Sequence, residues 1–282
     1  MSVWTDLIGV EFDLNFVDAG GIPTRSLRAG SGDHVIFLHG TSGHLEAFSR
    51  NFAPHVHAGF RCHALDMLGH GYTGKPDYAY EIPRYVDHLV AYLDSCGIER
   101  AHLVGESLGG WVSAWLAATR PERVASLQLV AAGGTKANPE VMERIKSSTT
   151  EAVMKDDRAL TRQRLELLMF DAKNVTDELV DVRHRIYHQP EFQANLHNLL
   201  CLQEMDVRTR NLMTAELLGR ITARTLVVWG TENPFGDVPE AAAMHEAITG
   251  SRLELFSECG HWPQHEHADR FNALSTDFLR AA

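Results

Sequence analysis

The chain has 282 residues, 44% of them hydrophobic, and its 26 Lys and Arg stand against 37 Asp and Glu for a net charge of −11. A chain of this length and composition buries one large core, and its negative charge repels phosphate backbones and anionic lipid, which argues against nucleic acid or a membrane surface as partner. No apolar run reaches the roughly 18 residues of a membrane span, Met1 to Asp13 lacks the basic start and apolar stretch of a secretion signal, and Cys62, Cys96, Cys201 and Cys259 show no Cys-x-x-Cys spacing, so free thiols in a cytoplasmic protein are expected.

Short apolar runs at 34–38, 61–66 and 101–105 read as strands. Between the second and third, Tyr85, Val86, Leu89, Val90 and Leu93 recur at helical spacing, and Gly97 stands where a left-handed helix stop is expected. A helix over 109–119 and a strand over 124–130 follow. This alternation predicts the α/β class, a mostly parallel sheet with helices on both faces. From 133 to 218 the pattern is helical and charged with no convincing strand, which predicts a helical lid inserted into a core made of 1–132 and 219–282. Strand character returns at 225–229, then a helix at 240–248, a strand at 252–256 and a closing helix over 268–279.

The segment Gly105-Glu106-Ser107-Leu108-Gly109 places Gly-x-Ser-x-Gly between a strand and a helix. A serine nucleophile must project from a very tight turn there, and the flanking glycines remove the Cβ atoms that would collide. The helix entry offers the Leu108 N–H to a developing oxyanion. A second donor is expected from His39-Gly40-Thr41-Ser42-Gly43-His44, with Thr41 N–H the candidate.

Cys259-Gly260-His261-Trp262-Pro263 follows the last strand and makes His261 the expected general base. The slot for its orienting acid reads Gly230-Thr231-Glu232-Asn233-Pro234-Phe235-Gly236-Asp237. Asn233 occupies the usual position and can accept the Nδ1–H of His261, although an amide cannot offset the charge of an imidazolium. Glu232 and Asp237 remain open as alternatives. His265 and His267 lack metal-ligand spacing, so no metal is expected. Gly69-His70-Gly71-Tyr72-Thr73-Gly74 fits a dinucleotide fingerprint in letters only, because Lys75-Pro76 follows in place of a helix.

With these residues in place the chain resembles the meta-cleavage product hydrolases of the α/β-hydrolase superfamily. Val17 to Arg25, Leu65 to Gly71 with Lys75-Pro76, the serine turn, and Gly260-His261-Trp262 ahead of Glu266 carry the resemblance. It implies an α/β-hydrolase fold and hydrolysis of a carbon–carbon bond in a 2-hydroxy-6-oxo-hexa-2,4-dienoate, with no cofactor. It also places Arg183, in the lid run from Thr176 to Arg183, on the substrate carboxylate, the local cation that so acidic a chain needs. Trp262 would pack against the substrate chain, and Ser42 and Phe235 join it as candidate substrate contacts. Departures from the family are Glu106 where Asn is usual, Asn233 in the acid slot, and a shorter loop after His39 that brings Ala47 near a substrate-contact position. A carboxylesterase or lactonase needs the same Ser107 and His261 without Arg183, and a ligand-binding protein on a degenerate hydrolase fold would need neither. A homodimer or higher homo-oligomer is compatible with either enzyme.

Overall fold

The computed structural model describes residues 2–281. Eight strands form one sheet: β1 (Phe12–Asp18), β2 (Pro23–Ala29), β3 (His34–Leu38), β4 (Arg61–Leu65), β5 (Ala101–Glu106), β6 (Val124–Val130), β7 (Arg224–Gly230) and β8 (Arg252–Phe256). Their order is β1-β2-β4-β3-β5-β6-β7-β8, antiparallel as far as the β2–β4 pair and parallel from β4 to β8. The six strands expected from apolar runs are all present within a residue or two of their expected ends.

A strand's side chains alternate between faces, and a parallel strand covered on both sides must be apolar on both. Accordingly Ile36 and Leu38 of β3 join Leu103 and Leu127 in one core, while Val35 and Phe37 join Val104 and Val130 in the other. Helices α2 (Ile82–Ser95) and α3 (Leu108–Thr119) cover the first face; α1 (Ser49–His57) and the closing helix Ala268–Arg280 cover the second. Gly97, at φ +68°, follows α2 as the left-handed stop.

The β1–β2 hairpin was not expected from apolar runs. β1 alternates Phe12, Leu14 and Phe16 with polar residues, yet all three aromatic or aliphatic side chains are exposed at the sheet edge. β2 buries the polar Thr24, Arg25 and Ser26. Burying such groups costs free energy unless their hydrogen bonds are met, and those of Thr24, through His88 Nε2 at 2.7 Å, and of Arg25 are met from distant segments. Arg25 N–H donates to Thr73 Oγ1 at 2.9 Å, and its guanidinium pairs with Asp66 at 3.2 Å and Glu46 at 2.5 Å.

Between β6 and β7 every regular element is helical, including α4 (Pro139–Met154), α5 (Arg158–Glu166) and α6 (Asp177–Tyr187). α6 starts where Thr176 Oγ1 accepts the Leu179 N–H at 3.2 Å, the capping bond that ends the preceding loop. After the loop at 69–74 no helix begins until Ile82, so no helix N-terminus is there to receive a pyrophosphate. No helix among the described residues is long and apolar enough to cross a membrane. In a sheet of this order, ligands bind beyond the carboxyl ends of the strands. The segments after β3, β5, β7 and β8, which hold Thr41, Ser107, Asn233 and His261, all lie at those ends.

Candidate active site

Ser107 sits between β5 and α3 with φ 52° and ψ −113°, a strained conformation for a residue with a side chain. Local bonds hold it there: its N–H donates to Val130 O at 2.9 Å, and its carbonyl accepts from Trp111 N–H at 3.0 Å and Gly133 N–H at 3.1 Å. The turn closes only because its flanking residues are glycines. A Cβ on Gly105 would run into the Gly109 carbonyl, and one on Gly109 into the Leu38 carbonyl.

Two cavities meet at the serine. The larger, about 500 Å³, runs past Trp111, Ile145, Trp229 and Arg208; the smaller, about 20 Å³, is a slot lined by Gly40, Glu106, Arg164, Arg183 and Trp262. Ser107, Thr41, Phe235 and His261 border both, and Leu108 borders the larger. Phe235 stands edge-on to the His261 ring with centroids 4.9 Å apart, fixing the plane of the imidazole.

Asn233 is the residue that reaches His261. His261 Nδ1–H donates to Asn233 Oδ1 at 2.9 Å, and the Phe235 N–H donates to the same oxygen at 3.1 Å. The backbone donor identifies that atom as the amide oxygen, so Nδ1 carries the proton and Nε2 the lone pair. Glu232 is occupied elsewhere, accepting from Cys259 N–H at 2.9 Å and Thr231 Oγ1 at 2.6 Å. Asp237 caps the helix Val238–Ala247 through Glu240 N–H at 3.0 Å and binds Lys136 at 3.1 Å. Asn233→Ala is therefore expected to cost roughly 100-fold in kcat, the scale of a lost acid–base contribution, whereas Glu232→Gln and Asp237→Asn keep most activity. Steady-state kinetics on the three variants would reassign the partner if the order came out reversed.

Burial strips water from His261 and, with Arg164 adding like charge, lowers its pKa to about 3. Glu106 lies on the other side of the ring, with Oε1 3.2 Å from Nε2. Only 1% exposed, it is pushed up to about 8 by desolvation, against the opposing pull of the Gly40 N–H, Arg183, Arg164 and Trp262.

Arg183 is fully buried on α6. Its Nε–H donates to His44 Nε2 at 3.4 Å, His44 Nδ1–H donates to Glu46 at 2.8 Å, and Glu46 binds Arg25, which binds Asp66. The Val17–Arg25 and Leu65–Gly71 segments thus serve the site indirectly, by holding the residues that aim Arg183. Its guanidinium lies 5.3 Å from the Trp262 ring centroid, and its Nη2 makes no hydrogen bond among the described residues.

Arg164 of α5 was missed by sequence reasoning. It is 4% exposed, its Nε–H donates to Thr149 at 3.3 Å, and its Nη1 is likewise without a partner among the described residues. Nothing in its helical context separates it from the half-buried Arg158 and Arg162, which bind Asp177. Two buried guanidiniums with free N–H groups on one slot make a site for an anion.

Ser42 departs from its expected role. It is fully buried, borders neither cavity, and its Oγ accepts the Tyr187 hydroxyl at 3.0 Å, which ties the loop after β3 to α6. Ala47 is also core, among Leu45, Phe48 and Phe52. Of the histidines beyond the strand β8, His265 bonds Asn174 O and His267 bonds Glu258 O. Asp156, His184 and His188 do cluster closely enough for a metal ion, but on the lid surface, bordering neither cavity, and lid groups already take their polar atoms: Thr161, Lys155 O and each other.

Residues 33–268 match the family model described as the alpha/beta hydrolase fold. The chain is 35% identical over 263 residues to a 2-hydroxy-6-oxo-6-phenylhexa-2,4-dienoate hydrolase of Comamonas testosteroni, covering 90% of each chain. It is 33% identical over 276 residues to a 2-hydroxymuconate semialdehyde hydrolase of a Pseudomonas species, covering 94% of this chain and 93% of the other. A solved meta-cleavage product hydrolase from Pseudomonas fluorescens, a serine-to-alanine variant complexed with acetates, superposes with a TM-score of 0.82 at 29% identity, over 95% of this chain and 97% of that one.

Proposed function

The chain belongs to the α/β-hydrolase family and, within it, to the meta-cleavage product hydrolases, and on that premise we propose that it hydrolyses the C5–C6 bond of a 2-hydroxy-6-oxo-hexa-2,4-dienoate. The observation that carries the reading is the pair of buried, unpartnered guanidinium groups, Arg183 and Arg164, on the slot beside Ser107. An ester or lactone without a carboxylate would leave both cations desolvated and unpaired, whereas a dienoate carboxylate pairs with them.

The carboxylate end then lies in the slot against Trp262, and the C6 substituent extends into the 500 Å³ cavity between Trp111 and Trp229. At about 20 Å³ the slot is narrow beside the larger cavity it joins at Ser107. After the dienol takes its ketonic form, Ser107 Oγ attacks C6 as its proton passes to His261 Nε2. The C6 oxygen becomes an oxyanion facing the N–H groups of Leu108 and Thr41, donors that each contribute about 2.7–4 kcal/mol at the transition state. The C5–C6 bond breaks as the tetrahedral adduct collapses, its electron pair moving into the dienolate, whose C2 oxygen takes up the proton from His261 (C5 having gained its own proton in the ketonic form), and water releases the second acid from the serine.

A panel of coloured ring-fission products provides the test. Loss of the dienolate absorption band, with kcat/KM for the dienoates at least ~100-fold above that for neutral p-nitrophenyl esters, is the expected result, since charge-assisted pairs contribute about 1.5–3 kcal/mol each. Ester turnover without dienoate turnover would assign the chain to the esterases. The small-molecule substrate is the only partner the reading requires.

A further inference from the structure

Asn233 orients His261 but brings no charge, and an imidazolium formed in this buried site would be left without an anion. The structure supplies one on the opposite edge of the ring. Since Nδ1 of His261 donates to Asn233, Nε2 is the lone-pair nitrogen, and a carboxyl oxygen stands 3.2 Å from it, within reach of sharing a proton with it. The Glu106 Oε2 atom has no hydrogen-bond partner among the described residues, and no other acid borders the slot. We propose that Glu106 is the acid–base partner of His261: its carboxyl holds Nε2 at rest and, once ionised, balances the imidazolium charge that the Asn233 amide cannot.

The proton count follows. At rest the Glu106–His261 pair holds one proton on the line from Oε1 to Nε2, and Nε2 cannot accept from Ser107. Loss of that proton leaves a carboxylate beside a neutral imidazole. Nε2 then takes the Ser107 Oγ proton, and the imidazolium so formed lies against Glu106. The groups facing the pair are the Gly40 N–H after β3, Trp262 after β8, Arg164 of α5 and Arg183 of α6, and the two guanidiniums favour the ionised form. Burial opposes them and keeps the carboxyl protonated until about pH 8. The rate of serine attack should therefore climb with pH through that region, the two groups titrating as a unit.

This rests on the Ser107–His261 reading and not on the dienoate, so the test uses a fluorophosphonate. Its phosphorus bonds to Ser107 Oγ, fluoride leaves with its electron pair, and Nε2 receives the hydroxyl proton. Ser107→Ala must abolish labelling; persistent labelling of that variant would discredit the Ser107–His261 reading and the proposal with it, whereas the Glu106 variants test Glu106 alone. In the native chain the labelling rate should rise with a midpoint near pH 8. Glu106→Gln should lose that limb and label roughly 100-fold more slowly at pH 9, while Glu106→Gln with Asn233→Asp, which returns a carboxylate to the Nδ1 side, should recover to within ~10-fold. A Glu106→Gln variant with native rate and native limb overturns the proposal. So does a slow, folded Glu106→Gln that Asn233→Asp does not rescue, because a mere structural prop or substrate contact would behave that way. If Glu106→Gln does not fold, nitrogen NMR of His261 in the unaltered protein decides: Nε2 must shift near pH 8 while Nδ1 stays protonated, and an invariant Nε2 between pH 6 and 10 refutes it.

Discussion

Ser107→Ala is expected to lower kcat for a dienoate at least ~1000-fold while the protein still folds and binds its substrate, because deleting a nucleophile leaves the oxyanion donors and the arginine slot in place. Folding should survive because Ser107 is held by its backbone: the bonds to Val130, Trp111 and Gly133 use only N–H and C=O groups. The side chain makes no bond on which the turn depends, and alanine keeps the Cβ that the turn already accommodates. Loss of the dienolate absorption band reads turnover, and equilibrium dialysis of the variant against the dienoate reads binding. Turnover within ~10-fold of the native protein would remove the covalent route.

Arg183→Ala is expected to lower kcat/KM for dienoates roughly 100-fold and to change that for neutral p-nitrophenyl esters by less than about 3-fold, the loss being one charge-assisted pair present in substrate and transition state alike. Arg164 remains to meet the carboxylate, so some binding persists, and the loss should be divided between KM and kcat. A purely architectural role is excluded only by the comparison of substrates. Arg183 also holds His44 at 3.4 Å, and collapse of that contact would harm both substrates equally. Equal losses would make the arginine a lid support.

The fold and the turn that carries the proposed nucleophile were legible for a shared reason. β3, β5 and β6 are buried on both faces, so their apolar runs stand out without knowledge of their neighbours. The serine turn is equally local, since the collisions that forbid Cβ atoms at Gly105 and Gly109 arise within the strand–turn–helix unit and the strand beside it. The β1–β2 hairpin escaped because β2 buries the polar Thr24, Arg25 and Ser26, and the partners of Thr24 and Arg25 lie on other segments. Arg164 escaped because a charged helix residue becomes a candidate site residue only when tertiary packing sets it against Phe235 and the slot.

What the sequence by itself determined was the order of the candidate groups along the chain: a serine in a tight turn at a strand end, backbone N–H groups after β3, a histidine after the last strand, and an amide where an acid belongs. Each is set by short-range sterics and periodicity, which a few neighbouring residues suffice to impose. The tertiary structure alone decided which groups lose water together. Glu232 and Asp237 stand close to Asn233 in the chain yet are exposed and engaged elsewhere, whereas Glu106, Arg164 and Arg183, distant in sequence from one another and from His261, share one dry slot. Desolvation makes that decision, because a charge's free energy depends on every atom that excludes water from it, and those atoms come from α5, α6 and the loops after β3, β5 and β8 at once.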